Sequence, residues 1–202
     1  MKSKKVAAVT AATNGNREAW LMKATKAVTP LFTKAGYTVP EVRVCAGFPS
    51  RSAIGARQRR IGECWSAGAA ADNRAQIFIS PVLEDYVVVL ATLVHELVHA
   101  VVGHEAKHGP VFKKCATAVG LAGKMTATHA GDELVAKFEA LRPRLGAYPH
   151  TMLNAMTRTK QTTRLLKCAC EECGYTVRTT AKWIDEAGAP LCPCNSEPMK
   201  VS

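Results

Sequence analysis

Apolar positions recur at helical spacing after Asn14, through Trp20, Leu21, Ala24 and Val28, and the run stops by Gly36. Pro30 is expected to kink or divide this first helix, because proline offers no amide hydrogen to the turn before it. Three short stretches follow, 41–46, 59–65 and 75–80, rich in Val, Ile, Phe and Trp and separated by Gly, Ser, Asn and Asp. They predict a small, mostly antiparallel sheet of three or more strands. Ser80 and Pro81 then read as an N-cap with proline at the first helical position, Glu84 and Asp85 sit near the positive end of the dipole, and Gly103 closes the far end. A long helix over 81–102 is therefore predicted. Pro110 and Gly120 bracket a third helix, and 132–141 reads as a fourth. The expected class is α+β.

Composition narrows this picture. At 202 residues the chain holds one ordinary domain plus a small module, and 48% hydrophobic residues provide for a core. The charge balance is 27 − 16 = +11, with twelve basic and two acidic residues in 1–60, which favours an anionic partner. The most apolar stretch, 82–102, carries Glu84, Asp85, His95, Glu96 and His99, so no membrane span is expected. Lys2, Lys4 and Lys5 precede a short apolar run that lacks Leu, Ile and Phe, which is poor material for a secretory signal. Five of the eight cysteines crowd into 168–194, a pattern suited to metal in a reducing compartment, and a cytoplasmic location is expected. Between Glu139 and Glu171 nothing is acidic, whereas Arg142, Arg144, Arg158, Lys160, Arg164 and Lys167 are basic, so 142–164 reads as a basic linker between a domain at 14–141 and a module at 165–202.

The chemistry is concentrated at His95-Glu96-Leu97-Val98-His99. A four-residue spacing puts both imidazoles on one face of a helix, one turn apart, where they can share a metal ion. Glu96 then stands beside the metal, placed to take a proton from a zinc-activated water in Glu-assisted hydrolysis. The alternative is a pair of ordinary buried histidines bonded to backbone carbonyls. A catalytic zinc needs a third ligand; His104 and Glu105 lie too close to the helix end to swing back, while His108, just before Gly109-Pro110, can return on a short loop. Farther on, Cys170 and Cys173 form a first zinc knuckle, and Cys192 with Cys194 an irregular second one, with Cys168 as a substitute should Cys194 not reach. Two Zn2+ ions are expected, one catalytic and one structural. Cys45, Cys64 and Cys115 read as buried apolar residues.

His95-Glu96-Leu97-Val98-His99 followed by His108-Gly109-Pro110-Val111-Phe112 resembles the SprT-like family of zinc metallopeptidases, with their HExxH and His-Gly-x-x-Phe elements. The metzincin pattern is absent, since Val102 and Glu105 occupy its Gly and His positions. The resemblance implies zinc ligands His95, His99 and His108, Glu96 as general base, and a small gluzincin-like domain. It also implies that a strand before the active-site helix, here 75–80, pairs with an extended protein or peptide substrate. Cys173-Gly174-Tyr175 is similar to the zinc ribbon that often ends such chains. The family includes proteases acting on proteins crosslinked to DNA, and the basic linker with Tyr175, Trp183 and Arg178 can hold phosphate and stack a base. Glu171, Glu172, Asp185, Glu186 and Glu197 nearly neutralise the ribbon, however, so any DNA contact is expected to be nonspecific. The rival readings are a noncatalytic DNA-binding or recruitment protein and a hydrolase acting on a bond other than a peptide. Oligomeric state is not encoded in any of these features.

Overall fold

The computed structural model describes residues 16–54, 59–155 and 164–202. Two compact units divide at 156/157. In the first, helix α1 (Arg17–Lys34) buries Trp20, Leu21, Ala24, Val28 and Phe32 along one face. Its N-cap is Asn16, whose side chain accepts from Ala19 N, two residues later than expected, and Asn14 lies outside the described residues. Pro30 lies inside the helix without dividing it. Phe32, beyond the proline, stays fully buried on the same face as Val28, and that packing outweighs the missing amide hydrogen.

Strands β1 (Val42–Ala46), β2 (Gly62–Trp65) and β3 (Ala75–Ile79) form a sheet in the order β1-β3-β2. The pairings among the described strands are mostly antiparallel, as expected, with one exception: β3 runs antiparallel to β2 but parallel to β1. Strand direction is set by the connections, which periodicity does not report. Val44, Ile77 and Cys64 stand in register across the sheet and are all buried, so one face turns inward while Arg43, Gln76 and Trp65 lie on the other.

Against the inward face runs α2 (Tyr86–Val102), buried almost all round from Val89 to Val98. Such a helix is sheltered on every side. Here the sheet lies on one flank, and α1, α3 (Pro110–Ala118), α4 (Asp132–Leu145) and a hairpin of β4 (Leu121–Lys124) and β5 (Ala127–Ala130) supply the rest. The helix begins at Tyr86, five residues after the expected start. Asp85 is the cap, with Oδ1 accepting from Val88 N at 2.8 Å, while Ser80 and Pro81 make a turn in which Leu83 N donates to Ser80 O. Both sites carry cap chemistry, and the one directly preceding the unbroken apolar run prevails.

Helix α4 extends past the expected 141 to Leu145, with Pro143 inside it. The segment after it packs onto the same unit: Tyr148 is buried, and both Leu153 N and His150 Nε2 donate to Pro81 O at 2.8 Å. Residues 142–155 thus belong to the first unit rather than to a linker, and 156–163 lie outside the described residues. The basic residues of the stretch drew the boundary too early; Leu145 and Tyr148 anchor it.

The second unit is small. Strands β6 (Leu165–Ala169) and β7 (Thr176–Thr180) pair antiparallel, β8 (Lys200–Val201) joins the other side of β6, and α5 (Ala181–Ala187) follows β7 directly. Its core is little more than Cys168, Cys170, Cys192 and Met199, with Val177 and Ile184 against them. No helix among the described residues is long and apolar enough to cross a membrane.

The position of the helix start is testable: Asp85→Ala should lower unfolding free energy by about 1 kcal/mol through loss of the cap bond. Urea denaturation measures it, and an unchanged midpoint would return the cap to Ser80.

Candidate functional site

Helix geometry sets His95 and His99 one turn apart on α2. The chain then reverses. Gly103 takes φ +83°, a backbone conformation that favours glycine, a short 3-10 turn covers His104–Ala106, and Lys107 adopts φ 45°. Pro110 opens α3 immediately afterwards, at the first helical position. This tight return delivers His108 to the other two imidazoles: its Nε2 lies 3.2 Å from His99 Nε2 and 3.3 Å from His95 Nε2. Three nitrogens sharing a tetrahedral zinc at the usual bond length would be about 3.3 Å apart. His104 stays outside the group, with its ring 6.1 Å from that of His99.

Burial keeps these imidazoles neutral and their lone pairs free. It pushes His95 down to about 4 and His99 to about 3, with the neighbouring histidines adding to the effect, and it also lowers His108. Their common support is Phe112, fully buried, whose ring centre lies 5.0, 4.5 and 4.9 Å from those of His95, His99 and His108. The phenylalanine of the His-Gly-x-x-Phe element is thus the platform on which the three rings rest. His95 is further fixed by Thr128 of β5, whose Oγ1 lies 2.8 Å from Nδ1. With that ring nitrogen engaged as the donor, Nε2 keeps its lone pair. Sequence reasoning missed Thr128, because the β4–β5 hairpin is short, carries Ala and Gly, and has little strand signal.

Glu96 is 6% exposed, and no hydrogen bond within the described residues ties its carboxylate down. Burial pushes it up to about 8, against a downward pull from Arg60 and a further upward push from Glu63. The carboxylate presses against β2: a Cβ placed on Gly62 would lie 2.5 Å from Glu96 Oε1 and 2.7 Å from Thr92 Cγ2. Only glycine leaves the carboxylate its place. One residue on, Glu63 accepts from Ser50 N at 2.8 Å, Ser50 Oγ at 2.7 Å, Arg60 Nη1 at 2.9 Å and Trp65 Nε1 at 3.0 Å. Burial alone would raise Glu63, but these donors outweigh it and hold the carboxyl below its ordinary range. The loop before β2 is thereby clamped to the strand.

The expectation that 75–80 pairs with a substrate is corrected by the sheet order. β3 is central, bonded to β1 on one side and β2 on the other, and has no free edge. The edge strand beside Glu96 is β2, which pairs on its outer side with no strand among the described residues.

In the second unit the sulfurs of Cys170, Cys173, Cys192 and Cys194 all lie within 4.8 Å of one another. Individual separations are 3.8 Å for Cys170 and Cys194, 3.5 Å for Cys173 and Cys192, and 3.3 Å for Cys192 and Cys194. Four thiolates around a tetrahedral zinc would be about 3.8 Å apart, so the set fits such an ion. Backbone amides of Cys173 and Glu172 draw the Cys170 thiol down, while the crowding of sulfurs pushes Cys194 up, as expected of thiols close enough to share protons. Cys168 is fully buried in the small core and outside the group, which leaves the fourth place to Cys194. Cys64 and Cys115 are buried and Cys45 half-buried, as apolar residues would be.

No protein-family model, curated protein or solved structure matches the chain.

Thr128→Val preserves shape but removes the acceptor on His95, and should weaken metal binding at the histidine site about 10- to 100-fold, with Thr128→Ser restoring most of it. Chelator competition measures this; equal affinity in the valine variant would remove Thr128 from the site.

Proposed function

We propose that the first unit is a zinc-dependent peptidase of SprT-like type, and that the second is a zinc ribbon. The observation carrying this reading is a three-donor site with a buried carboxylate at its side. Among the described residues the histidine group has three donors, the number found when a zinc keeps its fourth position for chemistry, whereas the cysteine group has the four of a closed structural site. Zinc, when bound, supplies Lewis acidity at that open position.

The remaining work falls to the chain's own groups. Glu96 takes a proton from the attacking water and passes it to the departing amine nitrogen. Its burial beside the ligand set shields it from bulk water, so the proton it takes is held close to the reacting groups until the amine departs. Thr128 and Phe112 hold the imidazoles still while this happens. The outer edge of β2, unpaired among the described residues, runs past Glu96 and offers backbone donors and acceptors to an extended chain, which favours a peptide over other hydrolysable substrates.

A role on DNA-associated proteins, or as a noncatalytic recruitment factor, has one feature in its favour. In the second unit Lys167 and Arg178 stand directly opposite each other on β6 and β7, both exposed. Neither has an ion-pair partner among the described residues, and like charges so placed repel unless an anion such as phosphate lies between them.

Glu96→Gln separates these readings. The peptidase reading expects zinc content unchanged and kcat/KM for a peptide substrate reduced about 10²- to 10⁴-fold. Full activity in the variant would remove Glu96 as the base. A recruitment factor would instead keep salt-sensitive DNA retention and its biological effect intact.

A further inference from the structure

Beside the histidine site lies a cavity of about 510 Å³, bounded by the end of the sheet and the C-terminal turn of α2. Its walls are built from side chains that leave space: Cys64 near the end of β2, Ala67 just beyond it, Ala75 at the start of β3, Ala100 on α2 and Gly103 at its C-cap. The rings of His99 and His104 line one side, nearly parallel at 15°. At the rim the two carboxylates of Glu41 and Asp72 are offset by Arg74 and, from outside the cavity lining, by Arg43. Arg74 pairs with Glu41 at 3.2 Å and with Asp72 at 3.8 Å, and Asp72 also pairs with Arg43. Ser66 and Asn73 add polar groups to the lining, so a volume of this order, with small side chains and a flat imidazole face inside an ion-paired polar rim, suits a large side chain whose body is uncharged.

We infer that this cavity is a substrate side-chain pocket selecting an aromatic or long aliphatic residue on the N-terminal side of the bond to be cleaved. The inference rests on the peptidase reading above, and the polarity follows from the sheet. Gly62 touches Glu96, and β2 runs from there through Cys64 and Trp65 toward Ala67. A substrate laid on the free edge of β2 in the more stable antiparallel sense runs the other way. Its residues preceding the scissile bond therefore lie over the Cys64–Ala67 end, where the cavity opens, and those following it lie toward Arg60. Glu41, Asp72 and Arg74 are already paired, so a charged side chain entering the pocket gains no free counterion there and gives up its water.

The test is cleavage of a mixed peptide library by the zinc-loaded full chain, with cleavage sites read by mass spectrometry. Wild type should enrich Phe, Tyr, Trp, Leu or Met at one position N-terminal to the cut. Ala67→Phe, which fills the cavity from the turn after β2 without touching a metal ligand, should reduce the preference for large over small residues there at least ten-fold. Ala67→Gly should retain it. Zinc content and thermal midpoint, measured on both variants, identify any that fails to fold, in which case Ser66→Trp takes the place of Ala67→Phe at the same mouth. Cleavage without such enrichment, or enrichment indifferent to filling the cavity, would overturn the pocket and leave the peptidase reading standing. No cleavage by zinc-loaded wild type would remove both.

Discussion

Withdrawing polar groups from water in the middle of α2 is the constraint on which the first unit depends. The helix buries apolar side chains on nearly every face, yet His95, Glu96 and His99 sit among them, and His108 is brought in to join them. Each of these groups loses hydration, and burial shifts all four toward their neutral forms. Three imidazole nitrogens converge on one point, those of His99 and His95 lying 3.2 and 3.3 Å from that of His108, an arrangement that a shared cation would satisfy together. The three-donor set exists only when α2, the return loop and α3 are all in place, so a metal held there would couple its binding to folding.

Around that constraint the remaining elements act as positioning devices. Gly103 and Lys107 supply the unusual backbone angles that turn the chain back within a few residues, and Pro110 starts the next helix without delay. Phe112 fills the space beneath the rings, and Thr128 fixes one of them. On the opposite flank Gly62 lets β2 come close enough to cover Glu96, while Glu63 ties the preceding loop to the strand's outer face. The second unit solves the same problem of a missing core differently. With few buried apolar residues, it relies on four converging cysteines to hold a three-stranded sheet together.

Those features that depend on local spacing were legible in the sequence. His95 and His99 share a face because of the helical repeat, Gly103 and Pro110 mark the ends of their helices, and Cys170 with Cys173 announces a knuckle. Features set by tertiary competition were not. Asp85 displaced Ser80 as the cap because the apolar run starts after it, Pro30 was tolerated because Phe32 needed to stay buried, and 142–155 folded back because Leu145 and Tyr148 had a core to join. The parallel pairing of β1 with β3, and with it the identity of the free edge, is a property of chain connections that alternation of side chains does not encode. Thr128 and Gly62 were invisible for a related reason: each matters only through a residue more than thirty positions away.

The central claim is that the histidine group on α2 holds its own metal ion, separate from the cysteine group. Elemental analysis of purified wild type beside a His95→Ala, His99→Ala double variant addresses it directly. Two zinc ions per chain falling to one is the result this account requires. One zinc in both proteins would leave only the cysteine site metallated and would contradict the reading of α2 as the bearer of a catalytic centre.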